Sequence, residues 1–126
     1  MNNKHTCVVC MGSNFKPEAH LENAVVDLTR TFSHVVLGKS VKTKDEGGKS
    51  QSDYLNLAAE FQTELDPTSV IEILKKIERQ NGRTASSKEL GCVSLDIDLL
   101  SYDENRIKPE EFSKSYVKLA LLTLHK

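Results

Sequence analysis

No sign of charge dominates this chain. Seventeen basic and eighteen acidic residues leave a net charge of −1, which argues against a nucleic-acid binder that relies on bulk electrostatics. No apolar run approaches the length of a membrane span, so no membrane partner is expected. The opening Met1-Asn2-Asn3-Lys4-His5 leads into a short apolar strand rather than a signal peptide, which makes a cytoplasmic location the expectation. Cysteine is scarce as well, and the three present are an odd number that implies no disulfide framework. Cys7 and Cys10 have C-x-x-C spacing, but they fall within His5-Thr6-Cys7-Val8-Val9-Cys10-Met11, which reads as a strand. Residues three apart on a strand face opposite ways, so the two thiols could not chelate one metal without a turn there. Cys92 has no Cys or His near it and reads as a small packed hydrophobe.

What is present suits a single domain over residues 1–126: the hydrophobic fraction is 38% and the charged fraction 28%. Residues 5–11 read as a buried first strand, followed by a turn at Gly12-Ser13-Asn14. Pro17 then opens a helix whose Leu21, Ala24, Val25, Leu28 and Phe32 recur at helical spacing. Residues 34–43 read as a second strand, and the polar, glycine-containing stretch 44–52 as a flexible loop. A long third strand covers residues 53–65, with Leu55, Leu57, Ala59 and Phe61 on its core face and Tyr54, Asn56, Glu60 and Gln62 on the other. Asp66 and Pro67 signal the start of a second helix carrying Val70, Ile73, Leu74 and Ile77, and Asn81-Gly82 its end. The tail from Tyr116 to Leu124 is ambiguous between a last helix and a short strand.

The fourth strand carries the most informative pattern, Ser94-Leu95-Asp96-Ile97-Asp98-Leu99-Leu100. Alternation turns Leu95, Ile97 and Leu99 to a core and sets Asp96 and Asp98 together on the opposite face, roughly 6–7 Å apart. That spacing suits carboxylates clamping divalent cations that hold phosphate oxygens. The pattern alone more often means a half-buried strand whose wet face carries two acids. The order is β-α-β-β-α-β, an α+β, ferredoxin-like pattern. It leads one to expect a four-stranded antiparallel-type sheet with both helices on one face, because two helices with single apolar stripes cover only one side. The bare face would hold Tyr54 and Asn56 from the third strand and Asp96 and Asp98 from the fourth. With the first strand between them, the two pairs would lie roughly 10 Å apart.

Four blocks now stand in register: Gly12-Ser13-Asn14, Asp53-Tyr54-Leu55-Asn56, Ile77-Glu78 with Gly82-Arg83, and Leu95-Asp96-Ile97-Asp98-Leu99-Leu100. Together they resemble the 6-hydroxymethyl-7,8-dihydropterin pyrophosphokinases of folate synthesis, from residue 5 to about residue 107. The resemblance implies transfer of pyrophosphate from Mg-ATP to the hydroxymethyl group of a reduced pterin. It implies that Asp96 and Asp98 are the catalytic pair holding two Mg²⁺ ions. It implies that Thr43, Tyr54 and Asn56 line the pterin site, and that Glu78, Arg83 and Lys88 serve the nucleotide. The partners implied are ATP and a reduced pterin, with the protein a monomer or weak dimer.

The chain also departs from that pattern. Where the family carries further arginines and an aromatic before the Asp strand, this chain has Ala85, Val93 and Leu90. Phe112-Ser113-Lys114-Ser115-Tyr116 stands where the family has a Pro-His element, and Lys44, Asp45 and Glu46 replace an apolar, proline-containing pterin loop. Each lost charge-assisted contact weakens triphosphate binding by roughly 1.5–3 kcal/mol. The departures therefore leave a second reading open, a non-catalytic paralogue that binds a pterin or another small ligand.

Overall fold

The computed structural model describes residues 4–44, 53–83 and 92–124. The central strand is β1 (His5–Ser13), flanked on both sides by antiparallel neighbours, β4 (Tyr54–Thr63) and β5 (Asp96–Tyr102). β2 (Ser33–Leu37) and β3 (Val41–Thr43) pair one after the other along the outer edge of β4. β6 (Asn105–Arg106) pairs with the end of β5. The first strand does separate the third and fourth strands of the sequence reading, as expected.

Three expectations need correction. The sheet has six strands among the described residues, not four. One extra strand arises because the expected strand 34–43 is broken. At Gly38 an added Cβ would collide with the Thr123 hydroxyl, and Lys39 N–H turns out of the ladder to donate to that hydroxyl at 2.9 Å. The other is β6, formed by a hairpin across Asp103 and Glu104 in which Asp103 adopts positive φ. The opening turn is also misplaced: Gly12 and Ser13 continue β1, each paired with β4.

The helices do not all lie on one face. α1 (Pro17–Thr31) and α2 (Pro67–Gln80) cover the side formed by Cys7, Val9, Met11, Leu57, Phe61 and Ile97. α1 contributes Leu21, Ala24 and Leu28, and α2 contributes Val70, Leu74 and Ile77, the stripes that their spacing predicts. The tail resolves to a helix, α3 (Ser115–Leu124), and it packs on the opposite face. There Val117, Ala120 and Leu124 bury against Cys10, Ala58 and Leu100. Their spacing of three and four residues presents one helical side, and a strand would have scattered them. Cys7 and Cys10 do lie on opposite faces, one in each core. A register shift opposite Val8 and Val9 skips Leu100 in the β1–β5 ladder. It lets Leu99 and Tyr102, three apart, join the same core while Leu100 faces α3. Among the described residues no helix is long and apolar enough to cross a membrane.

Candidate active site

The part of the sheet face that α3 leaves open is floored by Gly12. In the ladders Gly12 pairs with Asn56 on one side and with Asp96 on the other. The next row on that face is Ala58, Cys10 and Asp98. Asn56 and Asp96 are thus two strand spacings apart, about 10 Å, with no side chain between them. Space at the centre is tight: an added Cβ on Gly12 would come to 3.1 Å from Asn56 Oδ1, which would have to give way slightly.

On the β4 side, Thr43 pairs with Tyr54 and Val41 with Asn56, so Thr43, Tyr54 and Asn56 gather on the same face. Asn56 is buried, and its Nδ2 donates to Thr43 Oγ1 at 2.7 Å and to Val41 O at 3.4 Å. Both amide hydrogens are therefore committed, and Oδ1 is the atom turned toward the space over Gly12. Asn56 consequently presents an acceptor there, not the donor and acceptor that its type allows.

On the β5 side the arrangement begins with the end of α2. Gly82 has φ +85°. Its N–H donates to Arg79 O at 3.0 Å, and Arg83 N–H donates to Glu78 O at 3.2 Å. This is the paired hydrogen-bond closure that a glycine after a helix permits. It holds Arg83 beside Glu78. From there Arg83 Nη1 reaches Asp96 Oδ1 at 2.6 Å, Leu95 O at 3.2 Å and Glu78 Oε2 at 3.4 Å. Glu78 is only 8% exposed, and its Oε2 accepts the Ile97 N–H at 2.7 Å. It therefore closes an edge of β5 that β6 leaves uncovered. Asp98, the deeper acid of the pair, accepts from Lys108 Nζ at 2.6 Å. The side chains of Asp96 and Asp98 are 41% and 20% exposed. A cleft of about 440 Å³ joins Glu78, Arg83, Asp96, Asp98, Lys108 and Glu111.

Burial governs the electrostatics. It raises the Asp98 carboxyl above the ordinary range and the Asp96 charge adds to this, while Lys108 opposes both. Glu78 is raised by burial too, against the Ile97 N–H and Arg83, which favour its charge. For Arg83 and Lys108 burial acts against the cation. The hydrogen bonds from Arg83 to Asp96 and from Lys108 to Asp98 outweigh it together with the neighbouring acids, and both cations are raised. Cys10, in the row with Asp98, is pushed up to about 12 by burial and then by Asp98, Asp96 and Glu111.

The 7,8-dihydro-6-hydroxymethylpterin-pyrophosphokinase family model matches residues 8–126. The chain belongs to this family. A 2-amino-4-hydroxy-6-hydroxymethyldihydropteridine pyrophosphokinase of Haemophilus influenzae is 32% identical over 111 residues, covering 86% of this chain and 69% of that protein. The enzyme of the same name from Bacillus subtilis is 31% identical over 114 residues, 88% of this chain and 66% of that one. A folate synthesis bifunctional protein of Arabidopsis thaliana is 28% identical over 102 residues, 79% of this chain and 21% of its own length. The chain thus spans about two thirds of the bacterial pyrophosphokinases that it matches.

Of the residues singled out from the sequence, Thr43, Tyr54 and Asn56 form one group and Glu78, Arg83, Asp96 and Asp98 another, separated by Gly12. Lys88 lies outside the described residues, as do Ala85 and Leu90, Asp45 and Glu46, and most of the loop 44–52. Val93 is buried. Two residues carry no signal of their place in the sequence. Gly12 reads as part of a turn, and only the sheet register shows it in the middle of the trough. Lys108 offers no motif, but its place shortly after the Tyr102-Asp103-Glu104-Asn105 turn would let a hairpin reading return it toward the acids.

Proposed function

We propose that this protein transfers the β,γ-pyrophosphoryl unit of ATP to the hydroxymethyl group of a reduced pterin, releasing AMP. We read it as a single cytoplasmic domain, monomeric or weakly dimeric, whose central strands follow a ferredoxin-like order elaborated by β6 and α3. Supporting the reading most directly is the row Asn56–Gly12–Asp96, which sets a neutral hydrogen-bonding group and an acidic group on opposite banks of one bare trough. The family and the names of its relatives favour it over a pterin-binding paralogue without turnover.

In this reading the pterin lies on the β4 bank. Asn56 Oδ1 accepts an N–H from the ring edge, the Thr43 hydroxyl holds the Asn56 amide in place, and Tyr54 supplies an aromatic surface. The nucleotide enters the cleft over β5. Asp96 and Asp98 would hold Mg²⁺: carboxylate oxygens on one strand face suit it, because this ion takes one or two carboxylates together with phosphate oxygens. When bound, the metal neutralises phosphate charge and fixes the line of attack. Arg83 orients Asp96 while Glu78 keeps Arg83 and the β5 edge in place. Such chemistry rests on positioning and charge more than on covalent help.

Titration with Mg²⁺ and a non-hydrolysable ATP analogue, followed by NMR, tests this reading. Shifts are expected at Ile97, Asp98 and Arg83 on nucleotide addition, and at Tyr54 and Asn56 on pterin addition. Asp96→Ala is expected to abolish Mg²⁺-dependent nucleotide binding with the fold intact. Unchanged binding in that variant would refute the assignment.

A further inference from the structure

We propose that Lys108 is a displaceable counter-ion of the acidic pair. It neutralises Asp98 while the cleft is empty, yields that carboxylate to a divalent cation, and then takes a phosphate oxygen of the incoming nucleotide. The proposal rests on the kinase reading above, and it assigns a residue that no sequence motif marks.

Of the cations that line the cleft, Lys75, Arg83 and Lys108, the two bonded to the acidic pair are built differently. Arg83 Nη1 has three hydrogen-bond acceptors among the described residues, Asp96, Leu95 O and Glu78, and its side chain is 19% exposed. It is a fixed part of the wall. Lys108 Nζ hydrogen-bonds to Asp98 among the described residues, and its side chain is 42% exposed. A compact ammonium on a four-carbon stem with one partner can swing away at little cost, whereas a guanidinium held by three acceptors cannot.

The position of Lys108 is set by backbone. The β5–β6 hairpin pairs Tyr102 with Asn105 and Ser101 with Arg106. Beyond it Ile107 N–H donates to Leu100 O at 2.8 Å, and Lys108 N–H approaches the same oxygen at 3.5 Å. This returns residue 108 to the level of Asp98, at the rim of the cleft. Asp98 needs such a partner. Its carboxylate is only 20% exposed, its neighbour along the strand face is Asp96, and the row behind it is the neutral Cys10 and Ala58. A buried carboxylate without a counter-charge is costly. A cation that answers this need and remains mobile competes with a metal for Asp98. Once displaced, it stands with its charge free beside a phosphate chain.

This dual role has a signature of opposite signs. Lys108→Met keeps the aliphatic stem and removes the charge, while Lys108→Arg keeps the charge. Mn²⁺ binding without nucleotide is measured by electron paramagnetic resonance. Binding of α,β-methylene ATP at saturating Mg²⁺ is measured by calorimetry, and amide NMR spectra check the fold. Lys108→Met is expected to bind Mn²⁺ several-fold more tightly and the nucleotide about tenfold more weakly, with Lys108→Arg close to the wild type in both. Wild-type protein that binds both ligands, with a Met variant in which the two affinities move together or stay put, overturns the role of Lys108 alone. Wild-type protein that binds neither Mn²⁺ nor the nucleotide overturns the kinase reading and this proposal with it.

Discussion

On the β4 bank of Gly12, Asn56 is tied to Thr43 and Val41 by neutral hydrogen bonds. On the β5 bank the contacts among Glu78, Arg83, Asp96, Asp98 and Lys108 each involve an ionised group. The two banks share one sheet face and one glycine floor, yet they are organised on different principles. On the neutral bank the Asn56 amide hydrogens are satisfied within the protein, which leaves Oδ1 as a set acceptor for whatever lies there. The charged bank balances acids taken out of water against cations, and such a balance shifts when a metal or a phosphate arrives. A ligand that needs its edge read and a ligand that brings its own charge would each find the matching side.

The contrast breaks most severely at Glu78. Glu78→Ala leaves the Ile97 N–H and part of Arg83 without a partner in a buried setting, with an expected loss of about 3 kcal/mol in urea unfolding. Glu78→Gln keeps an acceptor for Ile97 and should lose only about 1 kcal/mol. Equal losses in the two variants would mean that charge, not the edge hydrogen bond, is what Glu78 supplies. On the neutral bank, Asn56→Ala removes two donated bonds, and about 1–2 kcal/mol of stability should go with them. Nucleotide affinity should be untouched while pterin affinity falls, a split that calorimetry with each ligand would read.

The smallest effect is a slope against pH. The Asp98 carboxyl is raised by burial and then by Asp96, so around its titration the native state is the better proton binder. Stability therefore falls as pH rises from the ordinary aspartate value, about 4, to the raised folded value, and is flat beyond it. In Asp98→Asn this part of the decline disappears, and urea midpoints measured from acid to neutral pH should drop less than in the wild type. An equal drop would show that Asp98 is not a source of it. Asp66 makes the opposite case: the Ser69 N–H at the start of α2 holds it below its ordinary value, so its contribution is present above that value and lost in acid.

Much of this was legible in local pattern. The alternation in residues 94–100 placed Leu95, Ile97 and Leu99 inward and the acids outward. Asp66-Pro67 and Asn81-Gly82 bounded α2 correctly, and Leu21, Ala24 and Leu28 marked the inner side of α1. Other features were not legible. The break at Gly38 depends on Thr123, far along the chain. The burial of Glu78 depends on an edge N–H of β5. The tail was ambiguous because its apolar residues acquire a side only when a second sheet face is there to receive them.

By itself, then, the sequence determined which residues turn together, since the periods of strand and helix are properties of a few neighbouring φ and ψ angles. It also carried the family, through four short blocks in register. Only the tertiary structure decided that Gly12 separates the two banks, that Lys108 sits on Asp98, and that α3 closes the rest of the face. Those outcomes depend on ladder register and on hairpin and bulge geometry, which couple residues from ten to more than eighty positions apart and leave no mark in any short window of sequence.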